Sequence, residues 1–157
     1  GTVSAIDARS GAITVLQDDH STAVFERADD KNALSAIDKR IATDTILAGA
    51  FDKSGAYSII FYYGDGDARQ VVALKTLGKG PFSSTEGTVE KYNRLKSIAI
   101  KDSSGAVHAF TIDPATVAET NFGAIPAKRF SADKGDHVRI VSSSASGTDT
   151  VVFVRDL

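Results

Sequence analysis

Three residue types are missing from this 157-residue sequence, which has no cysteine, no methionine and no tryptophan. The lack of cysteine excludes disulfides, thiolate nucleophiles and every metal site with cysteine ligands. Because a newly made chain begins with methionine, we expect Gly1 to be the first residue of a processed or trimmed form. Any signal peptide would then lie outside this sequence.

A surplus of one charge is also missing. The chain carries 18 Lys and Arg against 20 Asp and Glu. Residues 1–80 contain nine basic and eleven acidic residues, and residues 81–157 contain nine of each. Neither half therefore attracts nucleic acid through its net charge, so a nucleic-acid partner is disfavoured. No segment approaches the roughly 18 apolar residues of a membrane helix, and we expect no membrane span.

The sequence is instead rich in β-strand pattern. Short segments of Val, Ile, Thr, Tyr and Phe, bounded by Gly, Asp, Ser and Asn, recur about every 8 to 14 residues, the spacing of strands joined by tight turns. Helical periodicity is confined to one place, where Asp29 or Asp30 is expected to cap a short helix. The predicted strands are residues 2–7, 12–17, 22–27, 45–51, 56–63, 68–77, 88–93, 97–102, 106–113, 137–143 and 149–156.

Two features indicate an internal repeat. The tripeptide Gly-Thr-Val at residues 1–3 returns at residues 87–89, and residues 57–77 align without a gap with residues 137–157, with the apolar positions in register. We interpret the chain as two tandem copies. Between them, segment 78–86 has the Gly, Pro and Ser content of a linker. The predicted domains are residues 1–77 and 87–157, joined by the linker 78–86.

Each copy has about 75 residues, arranged as three strands, an irregular or short helical crossing and a long final hairpin, which is typical of the OB barrel. Closing the sheet buries one face and removes exposed edges in a unit too short for a large core. The predicted fold class is all-β: two tandem small OB-like antiparallel β-barrels with at most one short helix per unit. Alternation places Val151 and Phe153 on one face of the last strand and Val152 and Val154 on the other.

The end of the second copy carries a family resemblance. Residues 130–154 contain a Lys-Gly-Asp turn at 134–136, alternating apolar residues, a glycine turn and a valine-rich strand. Together with IAIKDSSG (98–105) and AFTIDPAT (109–116), this segment resembles small OB-like domains of bacterial extracytoplasmic proteins, including families of unknown function. The resemblance is weaker in the first copy. It implies a small-barrel fold and a periplasmic or extracellular location.

Metal binding is not implied by this resemblance. Similar periplasmic copper-binding barrels bind metal through Met, His and Trp, whereas this chain lacks Met and Trp and its His20, His108 and His137 lie far apart in the sequence. Asp18 and Asp19 beside His20 offer carboxylate and imidazole ligands, but a solvated turn is the favoured interpretation. We expect no metal site.

Other motifs fail on their spacing. Segment 65–69 begins like a calcium loop, yet Arg69, which has no oxygen ligand, occupies the third ligand position, and Thr76 occupies the twelfth, where glutamate is needed. Segment 78–84 has two glycines at dinucleotide-binding spacing, but Ser83 stands where the third is required. No Gly-x-Ser-x-Gly occurs. We expect no catalytic residue and no cofactor, although carboxylates that meet only in three dimensions stay possible from sequence.

One candidate binding surface lies in segment 59–64. Tyr62 and Tyr63 point to opposite sides of one strand, so at least one faces outward, near Arg69 across the hairpin. An aromatic ring beside Arg is a platform for a sugar ring, a peptide or a base. The alternative, which we favour here, is that Tyr63 only packs against the linker or the other barrel.

A second candidate surface is segment 90–96, expected to be the loop between the first two strands of the second copy. There Lys91, Arg94 and Lys96 flank Tyr92. OB domains often bind ligands through this loop. Basic residues on a polar loop are also typical of a solvated surface.

These observations favour a noncatalytic binding or structural module of a bacterial envelope protein, with an unknown protein or glycan as partner. The alternative hypothesis is a single-stranded nucleic-acid-binding OB protein that uses segment 90–96 and an outward tyrosine. A third is a small hydrolase with an unrecognised pair of carboxylates.

Overall fold

The computed structural model describes residues 1–28, 37–43, 55–77 and 80–157. Strands make up 57% of these residues, and none of their helices reaches seven residues. The predicted all-β class is therefore confirmed.

The chain forms two compact units, Gly1–Gly78 and Lys79–Leu157. The helix expected after Asp29 or Asp30 and the strand expected over 45–51 lie outside the described residues.

The first unit has the strands β1 (Thr2–Ile6), β2 (Ile13–Leu16), β3 (Thr22–Arg27), β4 (Ser58–Tyr63) and β5 (Gln70–Thr76). They form one sheet in the order β1-β2-β3-β5-β4. An antiparallel bridge between Thr2 and Tyr57 and a 2.8 Å hydrogen bond from the Ser58 amide to the Gly1 carbonyl join β1 to the start of β4. These contacts connect the two edges of the sheet.

The second unit has the strands β6 (Phe82–Asn93), β7 (Ser97–Lys101), β8 (Val107–Thr120), β9 (Gly123–Pro126), β10 (His137–Ser143) and β11 (Thr150–Asp156). The pairings β6-β7-β8-β11-β10 return to β6 and close a five-stranded barrel, while β9 extends β8 outside the ring. If β6, β7, β8, β10 and β11 are matched in chain order with β1 to β5, the strand order around this barrel is the same as in the first unit.

Each unit contains one parallel pairing among antiparallel ones. Glu26 of β3 pairs with Gln70 of β5, and Thr111 of β8 pairs with Thr150 of β11. In both units a crossing connection separates the third strand from the next-to-last barrel strand, and the last strand is antiparallel to that next-to-last strand. The last strand therefore lies beside the third strand and runs in the same direction.

Each unit has its own hydrophobic core, because the side chains of its barrel strands alternate between inside and outside except at bulges. In the first unit the core residues are Val3, Ile13, Val15, Ala23, Phe25, Val71 and Leu74. In the second unit they are Val89, Ile98, Ile100, Phe110, Ile112, Ala118, Ala127, Phe130, Ala132, Val138, Ile140, Val151 and Val154.

The predicted linker 78–86 needs correction, because residues 82–86 form the first part of β6. Phe82 pairs with Ser143, and Glu86 pairs with Arg139, both on β10. Ser, Thr and Gly give this segment the composition of a linker, but the seven-residue β10 needs a partner along its whole length to close the barrel.

Backbone irregularities recur at corresponding places in the two units. Ser4 is an extra, bulged residue in β1, and Glu90 is one in β6; Val72 is bulged in β5, and Val152 in β11. The bulge at Val152 corrects the expected alternation of the last strand. It leaves Val151 and Val154 in the core, with Phe153 only partly buried.

Close backbone approaches recur as well. A Cβ on Gly1 would lie 2.5 Å from the Leu16 carbonyl oxygen, and a Cβ on Gly87 would lie 2.5 Å from the Lys101 carbonyl oxygen. Only glycine has room at these two positions.

Candidate functional site

The described surface of the first unit carries an aromatic residue anchored on the core. Tyr62, at the end of β4, is 50% exposed, and its ring contacts the buried Phe25 edge-to-face, with ring centroids 5.0 Å apart. Such edge-to-face contacts fix the orientation of an aromatic ring. One side of Tyr62 is therefore held by the core while the rest faces solvent.

Arg69 completes this contact. Its guanidinium carbon lies 5.7 Å from the Phe25 ring centroid and 5.9 Å from that of Tyr62, within cation–π distance of both. The Arg69 carbonyl accepts a 2.9 Å hydrogen bond from the Glu26 amide. A Cβ on Gly64 would collide with the Ala68 carbonyl. Glycine at this position therefore permits the tight connection between β4 and β5, which places Arg69 beside Tyr62.

A row of polar side chains begins at Arg69. Its Nη1 lies 3.5 Å from the Gln17 Oε1, a long contact, and the Gln17 Nε2 donates to the Ser21 Oγ at 2.5 Å. The Ser21 hydroxyl then donates to the Asp19 Oδ1 at 2.6 Å. We call Phe25, Tyr62, Arg69, Gln17, Ser21 and Asp19 the Tyr62 cluster.

The turn at Asp18, Asp19 and His20 does not gather metal ligands. The Asp18 Oδ1 accepts from the Tyr57 hydroxyl at 2.7 Å, the Asp19 Oδ1 accepts from Ser21, and His20 has the positive φ of 66° that the turn requires. Across the described ranges, no three His, Asp or Glu side chains come together as a metal site.

Tyr63 lies apart from the cluster, as alternation predicts. It is also exposed, and its hydroxyl donates to the Gln70 Oε1 at 2.6 Å. The structure therefore brings Tyr62 and Arg69 together, and Tyr63 supplies a neighbouring exposed tyrosine with different contacts.

The expectation of a loop over 90–96 needs correction. Lys91 and Tyr92 lie in β6, and only residues 94–96 form the turn before β7. The bulge at Glu90 turns Tyr92 toward the core, which plain alternation from the buried Val89 would not do.

Tyr92 and Arg94 are held by their own unit. The Tyr92 ring meets that of Phe130 edge-to-face at 5.6 Å, and its hydroxyl donates to the Phe130 carbonyl at 2.8 Å. Burial raises the pKa of Tyr92, against the opposing charge of Arg94. The Arg94 Nη2 donates to the Lys128 carbonyl at 2.6 Å, while Lys91 is exposed.

A second polar arrangement lies in the second unit. The Asp102 Oδ2 and the His108 Nε2 are 2.7 Å apart, and the Asp102 Oδ1 accepts from the Ser104 hydroxyl and from the amides of Ser104 and Ala106. These hydrogen bonds, first that of the Ser104 hydroxyl and then that of His108, hold the pKa of Asp102 well below its usual range. Both carboxylate oxygens of Asp102 are thus occupied by hydrogen bonds within its own turn and to His108 on the next strand.

Sequence reasoning missed the roles of Phe25, Gln17 and the pair Asp102 and His108. Phe25 follows the core alternation of β3 and gives no sign of an exposed neighbour. Gln17 and Asp102 are each the first residue after a strand, in a turn between two strands. The turn-forming residues around them were the only sequence feature that could have indicated their roles. Their partners come from distant segments or across the hairpin.

The two units differ at the positions of the cluster. Tyr62 pairs with Val71 beside the bulge in β5, and Ser142 pairs with Val151 beside the bulge in β11. The carbonyl of Arg69, the residue before β5, accepts from an amide of β3. That of Asp149, the residue before β11, accepts from an amide of β8. The second unit therefore has serine and aspartate in these places.

Comparison with protein-family models found no match, and comparison with curated proteins found none either. No helix among the described residues is long and apolar enough to cross a membrane. Among solved structures, the chain is similar to apo-CusF residues 6–88 from Escherichia coli. The identity is 16%, the match covers 53% of this chain and 95% of that one, and the TM-score is 0.38.

Proposed function

We propose that the chain is a noncatalytic binding module, made of two tandem copies of a small OB-like barrel, and that the Tyr62 cluster is its binding site. One observation carries the proposal. The exposed Tyr62 ring and the Arg69 guanidinium are held together on the core, whereas the corresponding places of the other unit hold Ser142 and Asp149.

The tandem copies are supported by details that chance β patterning would not reproduce. Both units have the same strand order and two bulges at corresponding places. Gly55 and Gly135 both have positive φ, and their amides donate to the carbonyls of Val3 and Val89. A shared ancestral unit accounts for all of these features together.

The tandem copies supply an internal comparison for the site. At the corresponding corner, the second unit keeps the strand pairing and the bulge with Ser142, whose hydroxyl lies 3.1 Å from that of Ser83. The barrel therefore does not need an aromatic ring or a cation at this corner. Their presence in the first unit supports a binding role for these residues.

Binding is tested by NMR titration of the whole chain with three ligand classes: oligosaccharides, peptides and single-stranded oligonucleotides. We expect one class to shift the amides of residues 17–21 and 62–70. Substitution Tyr62→Ser, which copies the residue at position 142, should greatly reduce those shifts at the same ligand concentration, and Tyr63→Ser should preserve them. Shifts that spare both segments, or that are unchanged in Tyr62→Ser, would contradict the proposal.

The noncatalytic part is tested by turnover assays on ester, phosphoester and glycan substrates. The cluster contains no assembled nucleophile with a histidine or lysine base, and the sequence contains no catalytic motif. We expect no turnover. Activity that one substitution abolishes would show an enzyme instead.

We also propose a periplasmic or extracellular location, supported by the resemblance of residues 130–154 to extracytoplasmic domains. Cell fractionation of the complete gene product should recover it outside the cytoplasmic fraction. Recovery in the cytoplasm would overturn the location and leave the proposed binding site intact.

A further inference from the structure

The geometry points to a neutral sugar ring, within a glycan, as the ligand of the Tyr62 cluster. This inference rests on the proposed function and names its ligand class. The cluster combines one oriented aromatic face with a row of hydrogen-bonding groups, which match the two chemically distinct parts of a pyranose.

The aromatic face is provided by Tyr62. Phe25 and Arg69 hold the ring from within the unit, and half of the Tyr62 surface stays open to solvent. A sugar ring presents apolar C–H groups on its face, which pack on an aromatic ring. Because the ring is already oriented, binding loses little side-chain entropy.

The hydrogen-bonding row supplies both donors and acceptors. Arg69 carries only donors, the Gln17 amide and the Ser21 hydroxyl carry both kinds, and the Asp19 carboxylate only accepts. A sugar hydroxyl also donates and accepts, so neighbouring hydroxyls find complementary partners along such a row. The contacts from Gln17 to Ser21 and from Ser21 to Asp19 keep the row ordered.

The charge of the surface favours a neutral ligand. Within the cluster, the Arg69 cation is balanced by the Asp19 carboxylate. Two further acids, Asp65 and Asp67, are exposed in the β4–β5 connection that leads to Arg69, and Glu26 is exposed on β3. An anionic ligand such as a nucleic acid or a uronate chain would be repelled by these carboxylates. The small footprint of one half-exposed ring also suits a single sugar residue better than the apolar centre of a protein interface.

The experiment is isothermal titration calorimetry combined with NMR on the whole chain. The neutral probes are maltohexaose, cellohexaose and chitohexaose, and the comparison probes are an oligogalacturonate, a thymidine oligonucleotide and a short peptide mixture. We expect one neutral hexasaccharide to bind and to shift the amides of residues 17–21 and 62–70. Tyr62→Ser should weaken its binding by about tenfold or more, as the loss of one stacking ring does.

Matched variants separate stacking from general damage. Tyr62→Phe keeps the ring and should retain binding, and Tyr63→Ser removes the adjacent exposed tyrosine and should leave binding unchanged. Gln17→Ala should weaken binding by interrupting the row between Arg69 and Ser21. Equal losses for Tyr62→Ser and Tyr63→Ser would overturn the inference.

The outcomes distinguish the ligand class from the binding site. If the peptide, the oligonucleotide or the oligogalacturonate shifts the same amides while no neutral sugar does, the sugar class is wrong and the proposed site stands. If no probe shifts residues 17–21 or 62–70, the proposed site and the sugar class are both overturned.

Discussion

Glycine at position 87 illustrates how a single residue decides where two strands meet. A Cβ there would lie 2.5 Å from the carbonyl oxygen of Lys101 and 2.8 Å from its carbonyl carbon, both backbone atoms that cannot move freely. Gly1 has the same close approach in the first unit. These glycines are therefore required by the close approach of the neighbouring backbone.

Substitution Gly87→Ala should destabilise the second unit by about 2 kcal/mol, because β6 or β7 must shift to admit the methyl group. Urea denaturation followed by far-ultraviolet circular dichroism measures this loss. Ser84→Ala, at an exposed position of the same strand, is the control and should change the stability by less than about 0.5 kcal/mol. Equal stability of Gly87→Ala and the unmodified chain would refute the close approach.

Asp102 should make the turn between β7 and β8 sensitive to acid. Its pKa is lowered from the ordinary value of 3.8, so its hydrogen bonds contribute stability above that pH and lose it as the pH falls toward the folded-state pKa. An NMR titration of the Asp102 carboxyl carbon should give a midpoint below 3.8.

The substitution Asp102→Asn should speed hydrogen exchange of the Ser104 and Ala106 amides, which both donate to Asp102. Asp156→Asn, on the exposed end of β11, should leave that exchange unchanged. A titration midpoint at or above 3.8 would show that these hydrogen bonds do not form in solution.

At the scale of elements, bulges decide which side chains enter each core. Strict alternation would group Phe153 with Val151, but the extra residue Val152 brings Val154 into the core instead. The bulge at Glu90 likewise turns Tyr92 inward. One inserted residue thus exchanges the two faces of a strand beyond it.

This arrangement predicts unequal costs along β11. Val154→Ala should lower the free energy of unfolding by about 2 kcal/mol, because Val154 is almost fully buried. Val152→Ala should cost less than about 1 kcal/mol, since the bulged side chain is only partly buried. Chemical denaturation of both variants gives the comparison. Equal costs at positions 152 and 154, which strict alternation places on the same face, would mean that the bulge is absent.

At the scale of the whole molecule, each unit closes a sheet around separate core residues. The core of the second unit is drawn entirely from residues 89–154, and its barrel is complete without the first unit. Residues 79–157 should therefore fold when expressed alone.

The measurement is a ¹⁵N–¹H correlation spectrum of residues 79–157, which should overlay on the matching peaks of the full chain for β6 to β11. Substitution Ile140→Asp, in the centre of this core, is the negative control and should abolish the dispersed spectrum. A collapsed spectrum for the unsubstituted fragment would show that its stability depends on residues 1–78.

The sequence by itself determined the β class and the strand rhythm, because these follow from alternating apolar residues and turn-forming glycines. It also predicted that Tyr62 and Arg69 would be neighbours, since a hairpin brings its two arms together. It assigned residues 78–86 to a linker, and it assigned residues 90–93 both to a strand over 88–93 and to a loop over 90–96. Residues 82–93 all lie in β6, because Ser, Thr, Lys and Asn also fit the exposed positions of a strand.

Only the tertiary structure decided which aromatic residues reach solvent and what they touch. Bulges change alternation without a sequence mark, and Phe25, Arg69 and Gln17 meet from three separate segments of the first unit. Barrel closure, a long-range property of backbone hydrogen bonding, sets these distances. The local pattern of residues specifies each strand, while the pairing of distant strands places the side chains that form the site.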